Sequence, residues 1–235
     1  YQGERMGACT DCRRFWGQYR SEAISKSEID TVEGTLAVTA GTCAVMGTAS
    51  TMACIAETLG VSLPGTAAIP AVHADRLRAA EETGKRAVEI AVAGLTPDKI
   101  VTEKSVENAL RVLLAIGGST NGIIHLTAIA GRAGIDISLD RLNEISDETP
   151  VLVNLKPSGD YYMEDFFSGG GLGAVLREIK HLMHLDTLSV TGETLGDRLE
   201  EDPGYIDHDI VRPFDTPHYP LGGLVALFGS LAPNG

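Results

Sequence analysis

The sequence predicts a helix-rich α/β fold. A three-layer α/β/α region is expected over residues 1–213, with a linker and the first strand of a second, β-type unit over residues 214–235. Three observations carry this. Most apolar residues between positions 25 and 199 recur at helical spacing, in segments opened by hydroxyl or acidic residues and closed by glycine. Residues 150–155, PVLVNL, form a short apolar run of the kind that makes a buried strand. From residue 221 the pattern GGLVALFGSL has no helical period and reads as strand.

The elements follow in order. Residues 7–20, GACTDCRRFWGQYR, contain Cys9-x-x-Cys12, which suits half of a zinc site or a redox pair. No second Cys/His pair follows at ribbon spacing and no strand precedes it, so neither chemistry is favoured. Ser25-x-x-Glu28 is a capping box for a helix running through Ile29, Val32 and Leu36. Thr48 or Ser50 caps the next helix, whose apolar residues Met52, Ile55, Ala56 and Leu59 lead to a stop at Gly60. Residues 71–93 make a long helix with Val72, Leu77, Ala80, Ala87, Val88 and Ile90 as its apolar set, and His73 and Asp75 as capping and packing groups. Residues 102–116 form another helix.

Residues 117–122, GGSTNG, place two glycines ahead of hydroxyl and amide side chains at a helix start. Such a turn can bind an anion, for instance a carboxylate, or can be a capped buried junction. His125 shares a face with Asn121 and is read as a hydrogen-bonded core histidine in preference to a site residue. Short helices are expected over residues 139–145, 161–167, 172–183 and 191–199, with an exposed acidic turn at 200–204. The Gly169-Gly170-Gly171 run lacks the Lys-Ser/Thr of a phosphate loop.

The chain has 235 residues, enough for a substantial core, with 43% hydrophobic and 5% aromatic residues. Its net charge of −13 disfavours nucleic-acid and anionic-membrane surfaces, because Arg13-Arg14 and Arg76-Leu77-Arg78 are the main basic clusters. An anionic substrate therefore needs local positive potential. No apolar run approaches membrane-spanning length and the first residues lack a secretory pattern. The four cysteines are read as reduced thiols, with a cytoplasmic location as the default.

The central stretch is residues 40–65, AGTCAVMGTASTMACIAETLGVSLPG. It sets Cys43 in a Gly/Thr-rich turn just before a helix N-terminus, where a thiolate or an anionic group is stabilised. The same spacing also suits a small buried hydrophobe, and Cys54, inside the apolar helix, is read that way.

GTCAVMGTASTM, LGVSLPGTAAIPAVHADR, AIGGSTNGIIHLTAIAGRAGI and GGLVALFGSLAPNG occur in one order along the chain. In these motifs the sequence resembles the dihydroxy-acid and phosphogluconate dehydratase family, magnesium-dependent iron–sulfur hydro-lyases, and looks closest to its sugar-acid (arabinonate/xylonate-type) branch. The resemblance implies an N-terminal dehydratase domain followed by the start of a β-barrel-like domain. It implies that Cys43 is the last of three cysteines holding a cluster, [2Fe–2S] in preference to [4Fe–4S]. It makes Thr48, Ser50, Thr51, Ser119, Thr120 and Asn121 the candidates for the substrate-binding wall. The family's Cys-Asp-Lys motif and its base serine are expected outside residues 1–235, so no catalytic group is expected within them, and the chain alone is expected to be inactive.

Family members remove water from a 2,3-dihydroxy acid to give a 2-keto acid. Magnesium stabilises the enediolate and an open cluster iron acts as Lewis acid on the 3-hydroxyl. Branched-chain members resembling this chain commonly carry Phe or Tyr where Gly47 stands, so glycine implies a wider pocket and an aldonate substrate. The alternatives are a dihydroxy-acid dehydratase of branched-chain amino-acid synthesis, and a non-catalytic remnant or oligomerisation module. An electron-transfer iron–sulfur protein is disfavoured, since no set of four suitably spaced cysteines is present. The expected assembly is a homo-oligomer, dimer or tetramer.

Overall fold

The computed structural model describes residues 1–200 and 204–235, with every side chain among them except those of Ala8 and Cys9. The expectations for the Cys9 thiol and for the acidic turn at 201–203 lie outside the described residues. Helices α1 (Ala8–Arg20) and α2 (Lys26–Glu33) form a hairpin around Phe15, Ile29 and Val32. The Ser25/Glu28 capping box opens α2 as its spacing predicts, but the helix ends at Glu33, before Leu36.

Helix α3 (Thr48–Thr58) has Gly47 at its N-cap with no side-chain cap, so neither Thr48 nor Ser50 caps it. Gly60 follows in the left-handed region at φ +87, as a helix stop requires. The expected helix over 71–93 begins later, as α4 (Ala74–Ala93), with His73 at its N-cap accepting from the Asp75 amide at 3.2 Å and its ring edge-on to Phe167. A short α5 (Pro97–Ile100) precedes α6 (Glu103–Ala115), which Thr102 and Ser105 cap reciprocally. Next come α7 (Asn121–Arg132), α8 (Leu139–Glu148), α9 (Met163–Ser168), α10 (Gly171–Glu178) and α11 (Leu195–Leu199).

Helix α6 is the axis of the core. Val106, Ala109, Leu110, Leu113 and Leu114 pack with Ile55, Leu59, Leu126 and Ile145 from α3, α7 and α8. Val112 and Ala115 face a second cluster with Leu152, Phe166, Val175 and Leu176. Buried on both sides, α6 also carries Asn108 inward, its amide exchanging hydrogen bonds with the His184 backbone at 2.9 and 2.8 Å.

Helix α4 differs from its expectation. None of its residues is buried, and Leu77 and Val88 are 77% and 66% exposed. The physical reason is a cavity of about 470 Å³ between its inner face, at Ala79, Thr83 and Ile90, and the loop at residues 61–66. Arg76 and Arg86 hold the helix across this gap by donating to the carbonyls of Ile69 and Val190.

Among the described residues, sheet structure is limited to isolated bridges, so the strand layer of the expected α/β/α arrangement is not formed in this chain. Residues 151–155 are extended and buried, but their amides reach different segments. Val151 bonds Tyr219, Leu152 bonds the Ala115 carbonyl at the end of α6, and Asn154 bonds Ile210. Only residues 152–154 share one partner segment, 210–212, and that single pairing around the Val153–Val211 bridge is too short to make a ladder. The segment beyond 214 lies along the helical body, where Gly222 and Gly223 donate to Ser146 and Leu114 carbonyls and Asn143 bonds both backbone groups of Ala226. No helix among the described residues is long and apolar enough to cross a membrane.

Candidate functional site

A cleft of about 1040 Å³ opens where the Gly/Thr turn before α3 meets the Gly-Gly-Ser-Thr-Asn turn before α7. Backbone bonds fix the first turn from outside: Met163 donates to the Ala44 carbonyl at 2.7 Å and Met46 donates to the Lys156 carbonyl at 2.9 Å. Glycine at 41 is required by a φ of +117 and by Ala71, whose Cβ lies 2.8 Å from where a Gly41 Cβ would stand. In the second turn a Cβ on Gly118 would meet Leu113 Cδ1 at 2.7 Å and Thr51 Cγ2 at 2.9 Å. The turn therefore lies flush on α6 and α3.

Hydroxyl groups join the two turns. Thr48 Oγ1 lies 3.0 Å from Ser119 Oγ, Asn121 Nδ2 donates to Thr48 Oγ1 at 3.0 Å, and the Ser119 amide donates to Thr51 Oγ1 at 3.0 Å. Of the six wall candidates, Thr48, Ser119, Thr120 and Asn121 line the cleft. Ser50 and Thr51 are buried behind it: Ser50 donates to Thr42 Oγ1 at 3.4 Å, next to Cys43, and Thr51 holds the second turn. The amides of Asn121, Gly122 and Ile123 are already bonded to Ser119 and Thr120, so side chains, not helix-start amides, face the cleft.

Cys43 is partly exposed and unpaired, two residues before Val45, where the cleft lining begins. Cys54 is fully buried, and burial followed by the charge of Glu57 pushes its thiol far above the ordinary range. That matches its reading as a small hydrophobe. Cys12 is partly exposed and unpaired. Among the described residues no three His, Cys, Asp or Glu side chains gather as a metal site. His125, expected in the core, is exposed instead: α7 turns Gly122, Leu126 and Ala130 inward, which leaves position 125 outside.

Two walls of the cleft were not read from the sequence. One is the return segment at Tyr219 and 221–223, which long-range folding brings beside Gly117. The other is α1, through Thr10 and Arg13, three residues apart on one helical face. The start of α1 is pressed onto the cysteine turn, since a Cβ on Gly7 would stand 2.6 Å from Val45 Cγ1. Beside the cleft residues Pro157 and Ser158, Lys156 donates to the Tyr162 hydroxyl at 2.7 Å, which raises its pKa. A Cβ on Gly47 would meet nothing nearer than the Val45 carbonyl at 4.0 Å, so a side chain there would take up open space.

Residues 2–198 match the family model described as dihydroxy-acid/6-phosphogluconate dehydratase N-terminal. The chain is 44% identical over 93% of its length to a dihydroxy-acid dehydratase of Caldicellulosiruptor saccharolyticus, covering 40% of that protein. It is 41% identical over 99% of its length to one of Halothermothrix orenii, covering 43% of it. It is 44% identical over 92% of its length to one of Ignicoccus hospitalis, covering 38% of it. The chain thus spans about two fifths of the length of these relatives.

Proposed function

The chain belongs to the dihydroxy-acid/6-phosphogluconate dehydratase family, matching its N-terminal domain, and on that premise we propose that it forms the substrate-binding part of a hydro-lyase that converts a 2,3-dihydroxy acid to a 2-keto-3-deoxy acid. The observation that carries this is the hydroxyl and amide wall of Thr48, Ser119 and Asn121, built beside the Cys43 turn. Cys43 fits as one thiolate ligand of an iron–sulfur cluster. The remaining cluster and magnesium ligands are assigned to other parts of the full-length enzyme, and residues 1–235 alone are expected to be inactive. When bound, the two metal centres supply Lewis-acid activation of the leaving hydroxyl and charge stabilisation at the enediolate.

The chain's own groups bind and orient. Thr48, Ser119 and Asn121 hydrogen-bond substrate hydroxyl or carboxylate oxygens, and the half-buried turn keeps them fixed through Thr51 and the Lys156 carbonyl. The names of the relatives favour a dihydroxy-acid dehydratase proper over the sugar-acid reading. The second reading, an aldonate dehydratase, rests on one observation: the open space at Gly47, which suits a longer, polyhydroxylated acid. We further propose a cytoplasmic homo-oligomer, with residues 214–235 leading into a second domain.

The test is turnover by the anaerobically purified full-length enzyme. Release of 2-keto acid from 2,3-dihydroxyisovalerate at a higher kcat/KM than from any aldonate selects the first reading, and the reverse selects the second. Cys43→Ser is expected to lose the visible cluster absorbance and at least about 1000-fold in activity, as loss of an essential metal-site group does. Full activity of that variant would remove Cys43 from the cluster.

A further inference from the structure

Helix α1 carries adjacent arginines that the fold treats differently. Arg14 is committed: it donates to Asp11 at 2.9 Å and to Glu4 at 2.7 Å, and its guanidinium lies over the Phe15 ring, 4.4 Å from the centroid. Asp11, buried, takes the Gly7 amide at 2.7 Å and so closes the start of the helix. Arg13 points elsewhere. It lines the cleft with Thr10, and it has no hydrogen-bond or ion-pair partner among the described residues. It is also the one charged residue among those lining the cleft, in a chain whose net charge is −13.

A guanidinium has five donors in a planar fork and no acceptor, and its natural partner is an oxyanion. The cleft walls offer it hydroxyls, amides and apolar groups but no carboxylate. Across the same cleft stand the side chains of Thr48, Ser119 and Asn121, which are neutral and suit hydroxyl oxygens as well as carboxylate. We propose that Arg13 is the oxyanion-recognising and specificity-determining residue of this cleft, taking a carboxylate or a phosphate of the substrate. This deepens the dehydratase reading and rests on it.

The experiment uses the full-length enzyme with Arg13→Gln and Arg13→Lys, assayed on arabinonate, xylonate, gluconate, 6-phosphogluconate and 2,3-dihydroxyisovalerate. Loss of a charge-assisted hydrogen bond raises KM roughly 10- to 100-fold with kcat retained, and lysine recovers part of it. A rise on every substrate turned over identifies the carboxylate as the partner, and a rise confined to 6-phosphogluconate identifies the phosphate. Unchanged KM on all of them for Arg13→Gln overturns the proposal. Should the wild-type enzyme turn over none of these acids, the dehydratase reading fails. Calorimetric titration with inorganic phosphate and gluconate as probes then decides the matter. Binding by wild type that Arg13→Gln lacks sustains the anion site, and equal titrations for the two proteins overturn it.

Discussion

Helices α6 and α4 have similar sequences on paper, each with apolar residues at helical spacing, yet α6 is buried along most of its length and α4 has no buried residue. The difference lies in the surroundings. Four packed elements and the extended segment at 151–155 close on α6, whereas α4 bridges a cavity and is held by two arginine-to-carbonyl bonds. Periodicity shows that a helix has a face; the number of neighbours decides whether that face is covered. The cleft is built on the α6 side, which gives its hydroxyl wall a rigid backing.

The contrast can be broken most forcefully at Leu113, which is fully buried. In the full-length protein Leu113→Ala should lower stability by about 2–5 kcal/mol, read from the urea midpoint. The matching change on α4, Leu77→Ala, should stay within about 0.5 kcal/mol. Equal losses at the two sites would mean that α4 is covered in the folded protein.

Glycine sharpens the same comparison, because one substitution should act with opposite sign. Gly118→Ala drives a methyl into Leu113 and Thr51 and should cost about 1–3 kcal/mol. Gly84→Ala, mid-α4 with open space around it, should stabilise by about 0.5–1 kcal/mol. Thermal unfolding of the two variants in parallel would show both signs.

The gentlest test addresses the joint between the two regions. Glu57, buried near the end of α3, accepts the Gly65 and Ala67 amides at 2.8 Å each and so anchors the loop that leads to α4. Burial pushes its pKa up, against the opposing pull of those amides and of Arg198. A carboxyl with a raised folded-state pKa gives stability that is complete below about 4.5 and is lost as pH rises toward the folded value. The Tm difference between wild type and Glu57→Gln should therefore change across that window in the variant's favour as pH rises. A difference that does not vary with pH would show that Glu57 titrates normally.

Helix starts were legible where a side chain makes the cap, as at Ser25 and Thr102, because capping is local chemistry. The pairing of the Thr48 turn with the Ser119 turn was legible only as a shared list of polar residues; the bonds between them span 71 to 73 positions. Ser50 and Thr51 show the limit of spacing arguments. They neighbour Thr48 in the chain, but one further step around α3 turns them to the core. Arg13 could be singled out only once Arg14 was seen to be paired. The strand layer failed to form because the partners of residues 151–155 lie in four separate places, which no local pattern records.

The hydroxyl cluster has a polarity. An amide nitrogen only donates, so Asn121 Nδ2 takes one lone pair of Thr48 Oγ1, while Ser119 Oγ accepts the Asn121 backbone N–H at 3.3 Å. In the 3.0 Å contact between Thr48 and Ser119 either hydroxyl can be the donor, and the contact uses one of their two hydrogens. The other hydrogen has no acceptor within the cluster whichever way the contact runs, so the wall meets an incoming oxygen as a donor.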